Sequence, residues 1–387
     1  MNSMAIEMLV PRYGIAWYPW AVQYFFLIAL SYATLWLAVP GLILGKKAWM
    51  PTARIAMLAC VSTTLVGPVA LLADLHQPLR FWHFYGYPTP WSWMSLGSFV
   101  LPLYLGAVVV LAWMSWRPAL KERSQASDGW FSKIAGWLSW GHWEIPRPLM
   151  VLVGLGALVL SLGIMVYTGA EVAIVRARPL WNTYWLPFAF MATGFIGAAG
   201  LVMVLNRISQ ARNVIINRQM FSVMIGACIA MGFVALTWFL DGINAVDGSV
   251  AIAMDSIKDS EQWRATALWG GIAGITLFVI AIILRLRERL WGWGWLVGLL
   301  ALHVAWMFRW VVLMDVQTVA RNSAGYHNYD MAFGSYGLMG ILGTFGLWIA
   351  AILLIDLFIP WRGNEARAIT NKTSSSSDIS TGAPSHG

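Results

Sequence analysis

Residues 72–98 hold a cluster of side chains that could exchange protons with a bound molecule. The cluster contains Asp74, His76, Arg80, Trp82 and His83. An imidazole titrates near neutral pH and can accept a proton from a hydroxyl group, and a neighbouring carboxylate can orient the ring or pass the proton on. Arg80 could stabilise an oxyanion or form an ion pair with Asp74. The cluster could therefore carry out proton transfer, or it could consist of ordinary residues at the membrane interface, and the sequence favours neither alternative.

The spacing within the cluster predicts one short helix. With Gln77 as its cap and Pro78 in its first turn, Arg80 and His83 lie three residues apart. Residues three apart share one face of a helix. A single molecule could therefore contact both side chains.

Five further polar or aromatic side chains lie within or beside long apolar runs. They are Gln23, Tyr167, Glu171, Arg178 and Arg309. Gln23 could bond a carbonyl of a bound ring or join two helices, and Glu171 could accept a proton or belong to a surface ion pair. Arg309 lies inside an apolar run, where an arginine costs roughly 2.5 kcal/mol or more unless it faces a partner or a wet cavity. Outward snorkelling of Arg309 is the competing explanation.

The elements that position these residues are predicted to be membrane helices. Of 387 residues, 59% are hydrophobic and 11% charged, against about 25% charged in soluble domains, and the mean hydropathy is +0.67. Continuous apolar runs of about 20 residues indicate helices that span the bilayer. We predict an all-α polytopic membrane protein with nine transmembrane helices, forming two four-helix bundles plus one helix. The predicted spans are 20–44, 52–74, 94–116, 149–169, 183–205, 220–240, 265–284, 293–315 and 336–359.

Lysine and arginine residues predict the orientation of these spans. Of 25 such residues, 17 lie in alternate loops and the C-terminal tail, and seven lie on the opposite side. The positive-inside rule places the N-terminus outside and the C-terminus in the cytoplasm, so residues 72–98 face outward. The predicted parts are an outer segment (1–19), a nine-helix membrane domain (20–360) and a disordered cytoplasmic tail (361–387). These loops also account for the +8 net charge, so no nucleic-acid partner is expected.

The cysteine and histidine content bears on redox cofactors. Only Cys60 and Cys228 are present, without a CxxC motif, so neither an iron–sulfur cluster nor a structural zinc is expected on this chain. A bis-histidine haem needs ligands on facing helices, and only His303 lies clearly within a predicted span, so haem is not expected. Titratable groups, a guanidinium and flat rings at a membrane edge suit a redox-active amphiphile. We predict quinol or quinone (menaquinol or ubiquinol) as a bound substrate.

Several motifs resemble the integral-membrane subunit family of polysulfide reductase (NrfD-like). They are ADLHQ…R.WHFY..PTPWSWM from Ala73, YTG.EV…ARP.W from Tyr167 to Trp181, RW…VQTV from Arg309 to Val319, and ILGTFGLWIA from Ile341. The motifs occur in the same order across most of the chain. Within the family they are most similar to the tetrathionate reductase branch.

The resemblance implies a membrane anchor and quinol-oxidising subunit of a respiratory molybdoenzyme complex in the bacterial cytoplasmic (inner) membrane. Electrons would pass to an iron–sulfur subunit with several 4Fe–4S clusters and to a molybdopterin catalytic subunit, both on the outer side. Membrane lipid is the remaining expected partner. We predict that Asp74, His76 and His83 are catalytic. The residues predicted to line the quinol pocket or a proton path are Gln23, Arg80, Trp82, Tyr167, Glu171, Arg178 and Arg309.

Three alternatives stay open from the sequence. The expected terminal acceptor is tetrathionate, but an anchor for thiosulfate, polysulfide or an oxyanion would have the same features. Electron flow could run in reverse, with quinone as the acceptor. A transporter or channel is an alternative of another class, in which Arg309 and the acidic outer loop at 241–264 would line the substrate path.

Overall fold

The computed structural model describes residues 15–126, 129–141, 143–209, 213–319, 326–327 and 329–362. Within these ranges, nine helices are long and apolar enough to cross a membrane, which confirms the predicted all-α class and number of spans. They are α1 (Pro19–Leu42), α2 (Met50–Asp74), α3 (Trp93–Gln125), α4 (Arg147–Ala173), α5 (Leu186–Ile208), α6 (Val214–Ile243), α7 (Glu261–Leu286), α8 (Gly294–Trp310) and α9 (Leu338–Phe358). Most of the predicted disordered tail and most of the predicted outer N-terminal segment lie outside the described residues.

Several helices are longer than the apolar runs that predicted them. α3 has 33 residues and continues to Gln125, and α6 has 30 residues and begins at Val214. The additional turns carry polar and charged side chains, so hydropathy does not mark them, although the backbone hydrogen bonds of a helix continue there. Proline stands in the first turn of α1, α2, α4 and α5. Its missing N–H causes no loss there, because the first turn has no acceptor for that group.

α1 lies at the centre of the helix packing. It contacts α2, α4, α5, α8 and α9, and most of its side chains are buried, as are those of α2 and α5. α6 and α7 expose most of their residues instead. Because α1, α2 and α4 are neighbours, polar residues near the start of α1 and the ends of α2 and α4 come together at one end of the molecule.

α8 continues beyond Trp310 with a change of helix type. Val311–Asp315 form a π-helical turn, and Val316–Thr318 complete the span. A π-turn shifts the backbone hydrogen-bond pattern and is frequently found beside functional sites. Here it begins two residues after Arg309, and Asp315 in the turn and Gln317 just beyond it are both buried.

Two long connections contain helices of their own. Ser249–Asp259 is helical, so the prediction of an acidic outer loop at 241–264 is wrong for this part. The helix buries one face of mostly small residues and exposes its carboxylates. A second helix, Trp130–Ser139, lies between α3 and α4. It exposes Trp130 and Trp137 and buries Ala135, so it is amphipathic.

Candidate functional site

Asp74, the last residue of α2, lies against the beginning of α1. The Tyr18 N–H donates to Asp74 Oδ1 at 3.0 Å. This contact stabilises the start of α1, where N–H groups lack helical acceptors and the helix dipole is positive. His76 is close enough to interact electrostatically with the carboxylate. The alternative Asp74–Arg80 ion pair is not formed within the described residues, where Arg80 is exposed.

His76 lies on the other side of residues 16–18, the lead-in segment that precedes α1. Its Nε2 is 3.1 Å from the Ala16 carbonyl oxygen, and its ring centroid is 5.2 Å from that of Tyr18. The imidazole is exposed. Asp74 and His76 therefore form one group around residues 16–18, with the carboxylate facing inward and the imidazole at the surface.

A buried group of three polar side chains lies deeper in the same end of the bundle. Tyr24 of α1 and Tyr167 and Glu171 of α4 are all buried, and Tyr167 interacts with both of the others. Glu171 also lies close enough to Asp74 for electrostatic interaction. Tyr24 Oη and Glu171 Oε2 are buried without a hydrogen-bond partner in the described part of the protein. Tyr167 lies within interaction range of both atoms, but neither makes a hydrogen bond of ordinary geometry to it, so both retain hydrogen-bonding capacity.

Gly97 of α3 makes room for the ring of Tyr167. A Cβ at Gly97 would overlap the Tyr167 ring atoms and its hydroxyl oxygen. Gly106, on the same helix, has open space around its Cβ position. The position of Tyr167 beside Glu171 therefore depends on a glycine in the neighbouring helix.

We expect Gly97→Ala to lower the free energy of unfolding by roughly 1–3 kcal/mol, as other overpacking substitutions do. Gly106→Ala is the matched control and should be neutral or stabilising by up to about 1 kcal/mol, because alanine favours a helix over glycine. Unfolding of the purified protein in mild detergent provides the measurement. Equal stability of the two variants would contradict the close approach of Tyr167 to α3.

The remaining residues of the 72–98 cluster are exposed. Pro78–Arg80 and His83–Gly86 form two separate short helical turns, and neither is capped by the Gln77 side chain. The predicted start at Gln77 and Pro78 is confirmed, but Gln77 makes no side-chain capping bond and the helix is divided into two short turns at Phe81 and Trp82, which keep helical dihedral angles. Trp82 and His83 pack edge to face, with ring centroids 4.1 Å apart. Arg80, Trp82 and His83 thus form an outer rim and are not part of the buried group.

Gln23 joins three helices through both ends of its amide. Its Nε2 donates to the Ile341 carbonyl oxygen at 3.0 Å, and its Oε1 accepts from Trp306 Nε1 at 2.9 Å. The side chain is buried. These contacts between α1, α8 and α9 agree with the alternative in which Gln23 joins helices.

Arg309 is fully buried and contacts α1, α5 and α8. Its Nε donates to Phe25 O at 3.0 Å, Nη1 to Thr193 Oγ1 at 3.1 Å and Ala305 O at 2.7 Å, and Nη2 to Phe190 O at 3.1 Å. The guanidinium carbon lies 5.5 Å from the centroid of the Phe190 ring. The snorkelling alternative is wrong, because neutral acceptors inside the bundle satisfy the guanidinium.

Arg178 and Trp181 bond the carbonyl groups of the π-turn region. Trp181 Nε1 donates to Val312 O at 2.5 Å, and Arg178 Nη1 donates to Val316 O at 3.2 Å and Val319 O at 3.3 Å. These donors compensate for the altered backbone pattern of the π-turn. Arg178 therefore supports the end of α8.

Gln317, at the end of α8, holds the segment that leads into α1. Its Oε1 accepts from the N–H groups of Ala16 at 2.9 Å and Trp17 at 3.1 Å, and its Nε2 donates to Trp17 O at 3.0 Å. The Trp17 ring also stacks on that of Trp181, with centroids 5.3 Å apart. The lead-in segment is thus fixed between α8 on one side and the Asp74–His76 pair on the other.

Sequence reasoning missed three residues of this arrangement. Tyr24 follows Gln23 within an apolar run, and nothing in that spacing links it to Tyr167 or Glu171 on α4. Gln317 and Trp181 belong to motifs that were recognised, but their contacts join segments far apart in the sequence. Glu171 and Asp74 were selected, because a carboxylate at the end of an apolar run is conspicuous.

These features define a class of protein: a multi-pass membrane protein with a buried group of two tyrosines and a glutamate at one end of its helices. The family described as polysulphide reductase, NrfD, matches residues 9–321. The chain belongs to this family.

Named relatives agree with the family assignment. The chain is 32% identical over 364 residues to a tetrathionate reductase subunit of Salmonella typhimurium, covering 92% of this chain and 95% of the relative. It is 23% identical over 202 residues to a selenate reductase subunit of Mesobacillus selenatarsenatis, covering 49% and 47%. It is 29% identical over 160 residues to a polysulfide reductase polypeptide of Wolinella succinogenes, covering 40% and 46%. The family thus contains membrane subunits of several reductases.

Proposed function

We propose that this chain is the membrane anchor and quinol-oxidising subunit of a respiratory molybdoenzyme complex in the bacterial inner membrane. The observation that carries the proposal is the buried group of Tyr24, Tyr167 and Glu171, in which Tyr24 Oη and Glu171 Oε2 make no hydrogen bond of ordinary geometry to a described residue. A quinol hydroxyl can donate to the carboxylate and accept from the phenol, so one ligand would satisfy both. Membership of the NrfD family supports the same role.

The carboxylates supply the proton acceptors for this reaction. Oxidation of a quinol to a quinone releases protons and electrons together, so a base must stand beside the hydroxyl group. Glu171 accepts the hydroxyl proton, Asp74 is its electrostatic neighbour, and His76 lies next to Asp74 at the surface. The order from buried Glu171 to exposed His76 supports proton release on this side of the membrane.

The exposed rim completes the proposed site. Arg80, Trp82 and His83 contact the head group as it enters, and His83 offers a second imidazole for proton transfer. The site also depends on positioning residues that act indirectly. These are Gln23, Arg178 and Arg309, whose hydrogen bonds hold the helices around the buried group.

The electrons leave to partner subunits. We propose an iron–sulfur subunit with several 4Fe–4S clusters over the outer rim and a molybdopterin catalytic subunit beyond it. Exposed aromatic side chains at Trp82, Tyr87 and Trp91 support a protein contact there, because large apolar patches mark interaction surfaces. The relatives are named as single components of larger reductases, which supports an assembly of several subunits.

The terminal acceptor is proposed to be tetrathionate. The support is the relative with that name, which matches over almost the whole of both proteins. Selenate and polysulfide reductases have related subunits over shorter stretches, so an oxyanion or polysulfide is the next alternative. Another subunit would carry out this reduction.

The arrangement of helices is part of the proposal. Contacts among α1–α4 and among α5–α8 support two four-helix bundles, with α9 packed on α1 and α2. The distribution of Lys and Arg supports an outer N-terminus and a cytoplasmic C-terminus. The candidate site then faces the outer side of the inner membrane.

Asp74→Asn is expected to lower quinol-fed reduction by the complex about tenfold or more. Asparagine retains an acceptor for the Tyr18 N–H, but its amide takes up no proton at neutral pH. Asp255→Asn, an exposed carboxylate in the 249–259 helix, is the matched control and should leave the rate unchanged. A reduced viologen dye, which feeds the partner subunits directly, should support wild-type rates in both variants. A wild-type quinol-fed rate in Asp74→Asn would reject Asp74 as a proton-transfer residue.

A further inference from the structure

A cavity lies at the end of the bundle opposite the candidate quinol site. Its volume is about 370 Å³, and it is bordered by the end of α1, the beginnings of α2 and α4, the last turns of α3 and the residues after α9. Its lining combines an apolar wall with charged groups, as an amphiphile would require. The apolar wall includes Leu42, Met50 and Met57, and the charged groups are Arg54, Glu122 and Arg147.

Trp116 presents an unused hydrogen-bond donor in this cavity. The side chain is 8% exposed and lines the cavity, and its Nε1 has no acceptor among the described residues. An indole N–H can only donate. The missing partner must therefore be an acceptor such as a phosphate or carbonyl oxygen. Arg362 Nε, beside the lining residue Trp361, is a second buried donor without a partner in the described part of the protein.

Arg147 is fixed at the mouth of the cavity. Its Nη2 donates to Ile43 O at 3.0 Å, and its guanidinium lies so close to Gly45 that a Cβ there would stand 2.7 Å from Nη2. A guanidinium has five N–H donors in a fork that matches phosphate oxygens. The contact with Ile43 therefore orients the group and leaves donors for an anion.

The charge of the lining selects among membrane lipids. Arg54 and Arg147 are cationic and Glu122 is anionic, so the three side chains together carry one positive charge. Arg54 is held in place by a 2.9 Å bond from Nη1 to Arg362 O. A single phosphodiester has one negative charge and balances this lining, whereas a zwitterionic head group, whose ammonium can pair with Glu122, leaves the net positive charge unbalanced. Basic pockets between transmembrane helices are a known kind of site for anionic lipid head groups.

We propose that this cavity binds the head group of an anionic glycerophospholipid with one phosphodiester, such as phosphatidylglycerol. Trp116 Nε1 and Arg147 donate to the phosphate oxygens, and Arg54 adds positive charge. Glu122 accepts from the glycerol hydroxyls of the head group. Met50 and Met57 contact the lipid backbone and the first acyl methylenes.

The test is lipid binding by the purified full-length protein, measured by native mass spectrometry in mild detergent. Wild-type protein is expected to bind phosphatidylglycerol at least about tenfold more tightly than phosphatidylethanolamine. Trp116→Phe removes the N–H together with part of the ring, a loss of size that the Trp137→Phe control reproduces, and Arg147→Gln removes the charge. Each variant should weaken phosphatidylglycerol binding about tenfold, since each removes a hydrogen bond to a charged group. The matched controls are Trp137→Phe and Lys133→Gln, both exposed on the 130–139 helix, and they should bind as wild type does.

Several outcomes would overturn the proposal. One is equal binding of the two lipids, and another is unchanged binding by both cavity variants. Displacement of phosphatidylglycerol by millimolar inorganic phosphate would assign the cavity to a free anion instead. If Trp116→Phe does not fold, Arg147→Gln decides the matter, because its side chain is exposed. The readout is lipid occupancy, so it is independent of quinol oxidation.

Discussion

Glu171→Gln is expected to reduce quinol-fed electron transfer by roughly two to four orders of magnitude, the usual range for loss of a general base. Glutamine has nearly the same volume, so the packing of α4 against α1 is kept. The amide cannot accept the hydroxyl proton at neutral pH, and it places an N–H₂ or C=O where the carboxylate stood. Quinol-fed reduction of the terminal acceptor by the purified complex is the measurement.

Two controls separate this effect from misfolding. Glu261→Gln makes the same chemical change at an exposed position at the start of α7 and should retain wild-type activity. Viologen-fed reduction, which bypasses the membrane subunit, should be the same in wild type and both variants. A Glu171→Gln complex that assembles and oxidises quinol at the wild-type rate would remove Glu171 from the proposed mechanism.

Arg309→Lys is expected to destabilise the protein by about 3–5 kcal/mol, the usual cost of leaving a buried charge poorly compensated. The guanidinium fork reaches acceptors on α1, α5 and α8 at the same time. A lysine ammonium keeps the charge and its desolvation cost, but its compact head cannot reproduce this geometry. Thermal or denaturant unfolding of the purified protein in mild detergent is the measurement.

Arg309→Met separates charge from geometry. It removes the hydrogen bonds and the desolvation cost together, so we expect it to be less destabilising than Arg309→Lys, within about 1.5 kcal/mol of wild type. Arg176→Lys, an exposed position after α4, should have no measurable effect. If Arg309→Lys were stable and Arg309→Met unstable, the positive charge, and not the geometry of the guanidinium N–H donors, would be the feature that stabilises this position.

The nine spans were predictable because a membrane leaves the backbone few solutions. A continuous apolar run must form a helix to satisfy its own N–H and C=O groups. The number of spans and their order along the chain therefore followed from hydropathy. The ends were less predictable, since α3 and α6 extend beyond the apolar runs with polar side chains. The π-turn after Arg309 was not predicted, because it depends on donors from Arg178 and Trp181 in another segment.

The candidate site was predicted in part. Asp74 and Glu171 stood out as carboxylates at the ends of apolar runs, and the structure brings them close enough to interact. Their surroundings did not follow from spacing. Asp74 bonds the Tyr18 N–H, 56 residues away, and Tyr24 is an aromatic residue in an apolar run. Local sequence patterns indicate which residues are polar but not which helices face each other.

The most direct test of the central claim is the location of bound quinone in the wild-type complex. A photoreactive quinone analogue would be irradiated with the complex, and labelled peptides would be identified by mass spectrometry with excess quinol as competitor. The proposed function predicts competed labelling of α1 around Tyr24 and α4 around Tyr167 and Glu171. Labelling confined to α6 and α7, or labelling that quinol does not reduce, would contradict it.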